Sequence, residues 1–90
     1  MVRRRYHFYG NVQGVGFRYR ARYAASYCHV TGWVLNEWDD SVTMEVQGEP
    51  EQIERMLPLI LQSHYISVER TECEELPLDP QEQSFRVRGD

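Results

Sequence analysis

The spacing of apolar positions changes along this chain, and each change predicts an element. Residues 3–10 hold Tyr6 and Phe8 among polar neighbours, a first strand, and residues 10–16 (GNVQGVG) form a glycine-rich loop. From Phe17 the spacing becomes helical, with Phe17, Ala21, Ala24, Ala25 and Cys28 on one face. Residues 31–36 are apolar and aromatic, a short second strand. Residues 37–40 are polar and turn-like, and residues 41–47 then alternate strictly, with Val42, Met44 and Val46 on one side; together these predict a hairpin. Gly48-Glu49-Pro50-Glu51 opens a second helix, with proline in its first turn and acids favoured by the helix dipole. Its apolar face is Ile53, Met56, Leu57, Ile60 and Leu61. Pro58 interrupts that face, and an interior proline costs about 3 kcal/mol, so the last turn is the weakest part of this helix. A fourth strand over residues 66–74, an acidic proline-bearing loop and a short strand at 85–87 follow.

This order, βαββαβ with one or two terminal strands, predicts an α+β sandwich of ferredoxin-like type. The sheet is mostly antiparallel, with four or five strands and two helices on one face. No repeat or linker precedes residue 75, so residues 1–90 read as a single domain. A right-handed crossover makes the first two strands parallel, with the third between them. That placement brings the loop at 10–16 and Asn36 to one edge of the sheet, where ligands of open α/β sheets often bind.

Composition narrows the function classes. Hydrophobic content is 41%, ordinary for one small core, and the longest apolar run falls far short of a membrane span. The basic start is followed by no apolar stretch or small-residue cleavage site, so no signal peptide is read and a cytoplasmic location is expected. Cys28 and Cys73 are too few for a disulfide framework or a zinc site and are expected as buried free thiols, a single bridge being the alternative. The net charge of −4 conceals an asymmetry: Arg3, Arg4, Arg5, Arg18, Arg20 and Arg22 precede every one of the 14 acids. A basic end of this kind suits an anion, whether a small phosphate or a nucleic-acid backbone, and equally suits a solvated surface.

The loop carries the sharpest candidate chemistry. Gly10, Gly14 and Gly16 admit backbone conformations closed to other residues and allow close approach of a ligand. Such a turn opening into a helix aims several N–H groups at one point, an anion site. Arg18 in the first helical turn adds a planar guanidinium able to grip two phosphate oxygens. A tight strand-to-helix turn with an exposed arginine explains the same residues equally well. The segment is neither a nucleotide P-loop nor a dinucleotide fingerprint, lacking Gly-Lys-Ser/Thr and the third small residue respectively.

The run Gly10-Asn11-Val12-Gln13-Gly14-Val15-Gly16-Phe17-Arg18 resembles the acylphosphatase signature G-x-V-Q-G-V-x-F-R, and Thr31-Gly32-Trp33-Val34-Leu35-Asn36 resembles the family's second block, T-G-x-V-x-N. The blocks stand at the family's spacing, and the family's element order continues to about residue 74. The resemblance implies hydrolysis of a small acyl phosphate to carboxylate and inorganic phosphate by water attacking phosphorus. It places the phosphoryl group on the amides of Val12, Gln13, Gly14, Val15, Gly16 and Phe17 with Arg18 as its charged ligand, and assigns Asn36 to position the water. It implies no cofactor and no metal, and a monomer is expected. The alternative is a catalytically silent relative that keeps the cradle as an anion-binding or protein-interaction module. The family fold also occurs within larger carbamoyl-transferring maturation proteins, a context that a chain of 90 residues argues against.

The chain departs from the pattern at His29, where the family usually has glycine, at Leu35, at Asp39-Asp40 in place of Asp-Gly, at Pro58 and after residue 75. At His29 a different helix end is expected, and at Asp39-Asp40 a different turn. His7, His29 and His64 are too scattered for metal ligation. Asp39 and Asp40 read as solvated turn residues, and Glu72, Glu74 and Glu75 as charges guarding an edge strand. Tyr6, Phe8 and Tyr9 suggest an RNA-stacking platform, but the third strand lacks the partner aromatics and the net charge is acidic, so neither a nucleic-acid nor a membrane partner is expected.

Overall fold

A computed structural model describes residues 1–89. Its elements are β1 (Val2–Asn11), α1 (Phe17–Cys28), β2 (Thr31–Asn36), β3 (Val42–Gly48), α2 (Pro50–Leu61), β4 (Ser67–Leu76) and β5 (Phe85–Arg88). The sheet order is β4-β1-β3-β2-β5. Strand β3 runs antiparallel to both β1 and β2, so those two are parallel with β3 between them. Strand β4 adds antiparallel to β1, and β5 adds parallel to β2. The expected sandwich holds, with five strands. The fourth strand starts one residue later and ends two residues later than the expected 66–74, because its pairing with Arg3 and Arg4 of β1 extends to Leu76 and Glu75.

One face of the sheet carries the core. Tyr6 and Phe8 of β1, Val34 of β2 and Val42, Met44 and Val46 of β3 meet Ala21, Ala24 and Ala25 of α1 and Ile53, Met56 and Ile60 of α2 in one buried cluster. Alanines on α1 let the two helices lie close together over the sheet. Tyr6 and Phe8 are buried beneath the helices, so neither is available as a stacking platform.

The opposite face is polar, yet β3 is buried there too. Arg3 donates to Glu45 Oε1 from Nε (3.1 Å) and Nη2 (2.9 Å), and Nη2 also reaches Glu82 Oε1 at 3.2 Å. Arg5 Nε donates to Glu45 Oε2 at 2.9 Å. The chain after β4 closes over this network through Gln47, whose side chain donates to Asp79 O (3.0 Å) and accepts from Asp79 N (2.8 Å). Much of the amino-terminal arginine cluster is therefore structural.

Arg20 also supports the fold, donating to Leu59 O, Ile60 O and Gln62 O at the end of α2. These bonds occupy carbonyls that a helix terminus leaves without partners. That support, with buried Ile60, carries α2 past exposed Pro58 to Leu61, against the expected weak last turn. Helix α1 ends in a left-handed residue despite lacking glycine: His29 has φ 58° and donates to Ser26 O at 3.4 Å. Cys28 is buried as expected, but Cys73 is exposed, lying on β4 at the edge of the sheet. Both are free thiols. No helix among the described residues is long and apolar enough to cross a membrane.

The side chains of Arg3, Glu45 and Glu82 are 6%, 9% and 5% exposed, whereas Glu74, which pairs with Arg5, is 61% exposed. Removing Glu45 breaks two hydrogen bonds of the buried Arg3 and leaves it Glu82 as its one carboxylate partner, so a buried charge loses much of its compensation. Glu45→Ala should therefore cost about 3–5 kcal/mol of stability in urea denaturation, and Glu74→Ala at most about 1 kcal/mol. Equal costs would show that the buried network carries no special weight.

Candidate active site

Strand β1 delivers the loop to the sheet edge. At its end the register with β4 shifts between Tyr9 and Gly10. A Cβ on Gly10 would lie 2.3 Å from Ser67 O, so only glycine permits this approach. Val12 is fully buried and pins the start of the loop, and Phe17, 5.2 Å from Phe8 between ring centroids, pins its end. Between them Gly14 and Gly16 take φ 72° and 82°. Gly16 is the N-cap of α1 and supplies no side-chain cap, and the first turn contains no acid. The leading N–H groups of the helix, which have no partners within it, thus open where the loop turns.

A cavity of about 190 Å³ lies at this point, lined by Val12, Gly14, Gly16, Phe17, Arg18, Tyr19 and Asn36. Arg18 is half-buried on its wall and donates from Nη1 to Arg88 O of β5 at 3.2 Å. Asn36 ends β2 opposite Val42 of β3. Its Oδ1 is buried and has no hydrogen-bond partner among the described residues. A buried acceptor left in this way costs about 1–3 kcal/mol unless something bonds to it.

Of the eight residues singled out by sequence, the cavity gathers Val12, Gly14, Gly16, Phe17, Arg18 and Asn36. Val15 packs toward the core. Gln13 turns its side chain away from the cavity: Nε2 donates to Glu37 O at 2.7 Å and to Ser41 O at 2.8 Å. That clasp ties the loop to the hairpin just after Asn36, joining the two halves of the site. Sequence reading assigned Gln13 only its backbone amide; a side chain's partner 24 residues away leaves no local signal.

The hairpin has its own support. Asp40 N donates to Glu37 O at 3.3 Å, and Asp40 takes φ 72°. Ser41 donates to Asp39 Oδ1 from both its backbone N–H and its hydroxyl, and Ser41 Oγ lies 2.7 Å from His7 Nε2. Among the described residues no three His, Cys, Asp and Glu side chains form a metal-binding group.

The family profile of the acylphosphatases matches residues 4–87. The chain belongs to the acylphosphatase family. The acylphosphatase of Geobacillus thermodenitrificans is 38% identical over 79 residues, covering 87% of this chain and 84% of that one. The acylphosphatase of Oceanobacillus iheyensis is 38% identical over 81 residues, covering 88% and 89%. The crystal structure of the Bacillus subtilis acylphosphatase superposes with a TM-score of 0.90 at 26% identity, over 99% of this chain and all of that one. Family and fold together make this chain an enzyme that hydrolyses acyl phosphates. Two positions where acylphosphatases commonly have glycine, His29 and Asp40, take the left-handed backbone here without it.

The hydrogen bonds from Ser41 hold the Asp39 carboxyl below its ordinary range, the hydroxyl contributing more than the backbone. A carboxylate so lowered stabilises the fold above its unfolded pKa of about 3.9 and loses that contribution as pH falls through the lower folded value. The melting temperature of Asp39→Ala should thus lie below that of the parent at pH 7, and the gap should narrow as pH falls through the unfolded value of about 3.9 and below it. Because Asp39 is exposed, the gap is small. A gap that does not narrow on acidification would assign the effect to something other than the carboxylate.

Proposed function

We propose that the chain catalyses this hydrolysis by direct attack of water on phosphorus, with Arg18 binding the phosphoryl group and Asn36 aligning the water. The observation that carries the reading is the buried, unpartnered Asn36 Oδ1 in the same cavity as Arg18 and the uncapped start of α1. An acceptor in that state suits a water O–H. A water held by one hydrogen points its lone pairs away from Asn36 and toward the cradle.

The phosphoryl oxygens sit on the N–H groups of residues 12–17, with the Arg18 guanidinium neutralising their charge. The water oxygen forms a bond to phosphorus as the bond from phosphorus to the acyl oxygen breaks. The acyl oxygen leaves with the electron pair as carboxylate, and the water's protons remain on the phosphate as dihydrogen phosphate. Carboxylate is a good leaving group, so no strong general acid is required. Positioning and charge stabilisation suffice for phosphoryl transfer of this kind. Two free thiols are in keeping with a cytoplasmic location.

Steady-state hydrolysis of benzoyl phosphate, with a chelator present, tests the assignments. Arg18→Ala should abolish turnover and competitive inhibition by phosphate together. Asn36→Ala should lower kcat about 10²–10³-fold, the scale of losing one positioning or stabilising group, and leave phosphate inhibition nearly unchanged. Equal loss of binding and turnover in Asn36→Ala would end its assignment as the water-positioning group. A folded parent that binds phosphate but turns nothing over would be a silent binding module.

A further inference from the structure

The cradle and its two side chains account for the phosphate and the water, but the acyl group must leave the cavity past some surface. Val12 and Phe17 belong to the core, Gly14 and Gly16 offer only backbone, and Arg18 and Asn36 serve phosphate and water in the reading above. That leaves Tyr19, which lines the cavity and is 80% exposed, as its rim. Tyr19 also lines a second groove of about 370 Å³ along α1, together with Arg22, Tyr23 and Ser26. Tyr19 is the one residue that lines both, so its ring stands between the phosphate cradle and the groove along the helix.

We infer that Tyr19, with Tyr23 behind it, is the acyl-binding surface of this enzyme and selects acyl phosphates with aromatic or bulky apolar acyl groups. The inference rests on the catalytic reading above and assigns the half of the substrate which that reading leaves unplaced. Helix geometry supports it. Side chains on an α-helix lean toward its N-terminus, so Tyr19 leans toward the cavity and Tyr23 follows one turn, or about 6 Å, behind. Neither ring has a part in the core, whose contacts on α1 are made by Phe17, the alanines and Cys28. Scattered exposed aromatics need no explanation, but these two lie in line and begin at the cavity. A ring on the acyl group can pack against Tyr19, while a methyl group is too small to cover it.

The test compares kcat/KM for benzoyl phosphate and acetyl phosphate in the parent, Tyr19→Ala, Tyr19→Phe and Tyr27→Ala. Tyr27 is a further exposed tyrosine on α1, absent from both spaces. The parent should favour benzoyl phosphate. In Tyr19→Ala the benzoyl-to-acetyl ratio should fall about two- to tenfold, the range expected for one aromatic pair. Tyr19→Phe should keep the parent ratio, because the ring is retained, and so should Tyr27→Ala. With 4-phenylbenzoyl phosphate, which reaches further along the helix, Tyr23→Ala should show a loss that benzoyl phosphate does not reveal. An unchanged ratio in Tyr19→Ala, or an equal fall for both substrates, would overturn the inference while leaving the catalytic reading intact. A parent inactive on both substrates would instead remove the catalytic reading and this inference with it.

Discussion

The pairing of β3 with β1 on one side and β2 on the other is the constraint from which the site follows. It makes β1 and β2 parallel, so the loop leaving β1 and the asparagine ending β2 arrive at the same edge of the sheet. Strand β3 can hold this central position because both of its faces are covered. Apolar side chains cover one, and the Arg3–Glu45–Glu82 network under the chain after β4 covers the other. A buried ion network is a poor source of net stability, since desolvation offsets most of the attraction. It does penalise any register that strands one of its charges, and a shift of one residue in β3 would do so.

Bringing two segments to one edge does not set their spacing, which smaller interactions fix. Gln13 ties the loop to the hairpin, while Ser41, Asp39 and His7 hold the hairpin beneath it. On the other side β5 supplies Arg88 O to Arg18. The proposed placing of water in line with a breaking bond needs such outer supports, because small displacements reduce the rate steeply. The arginines of the amino-terminal region divide along the same lines: Arg3 and Arg5 hold the sheet, Arg20 holds the end of α2, and Arg18 reaches the cavity.

Much of this molecule was legible residue by residue. The helical spacing of Phe17, Ala21, Ala24, Ala25 and Cys28 and the alternation of Val42, Met44 and Val46 predict the faces that are buried. The glycine-rich loop before Arg18 marks one side of the cavity, and the expected strand order, with the resemblance to the acylphosphatase blocks, brings Asn36 to the other. The helical and alternating patterns and the glycines are local, and local chemistry acts on them directly: glycines for turns, periodic apolar positions for burial. The burial of Arg3 and Glu45, the course of α2 past Pro58, the exposure of Cys73 and the clasp of Gln13 have no such signature. Each depends on a partner brought close by the fold from tens of residues away, or on a strand's place at the sheet edge. Periodicity along a chain tells which positions seek burial, and tertiary packing decides what each one meets there.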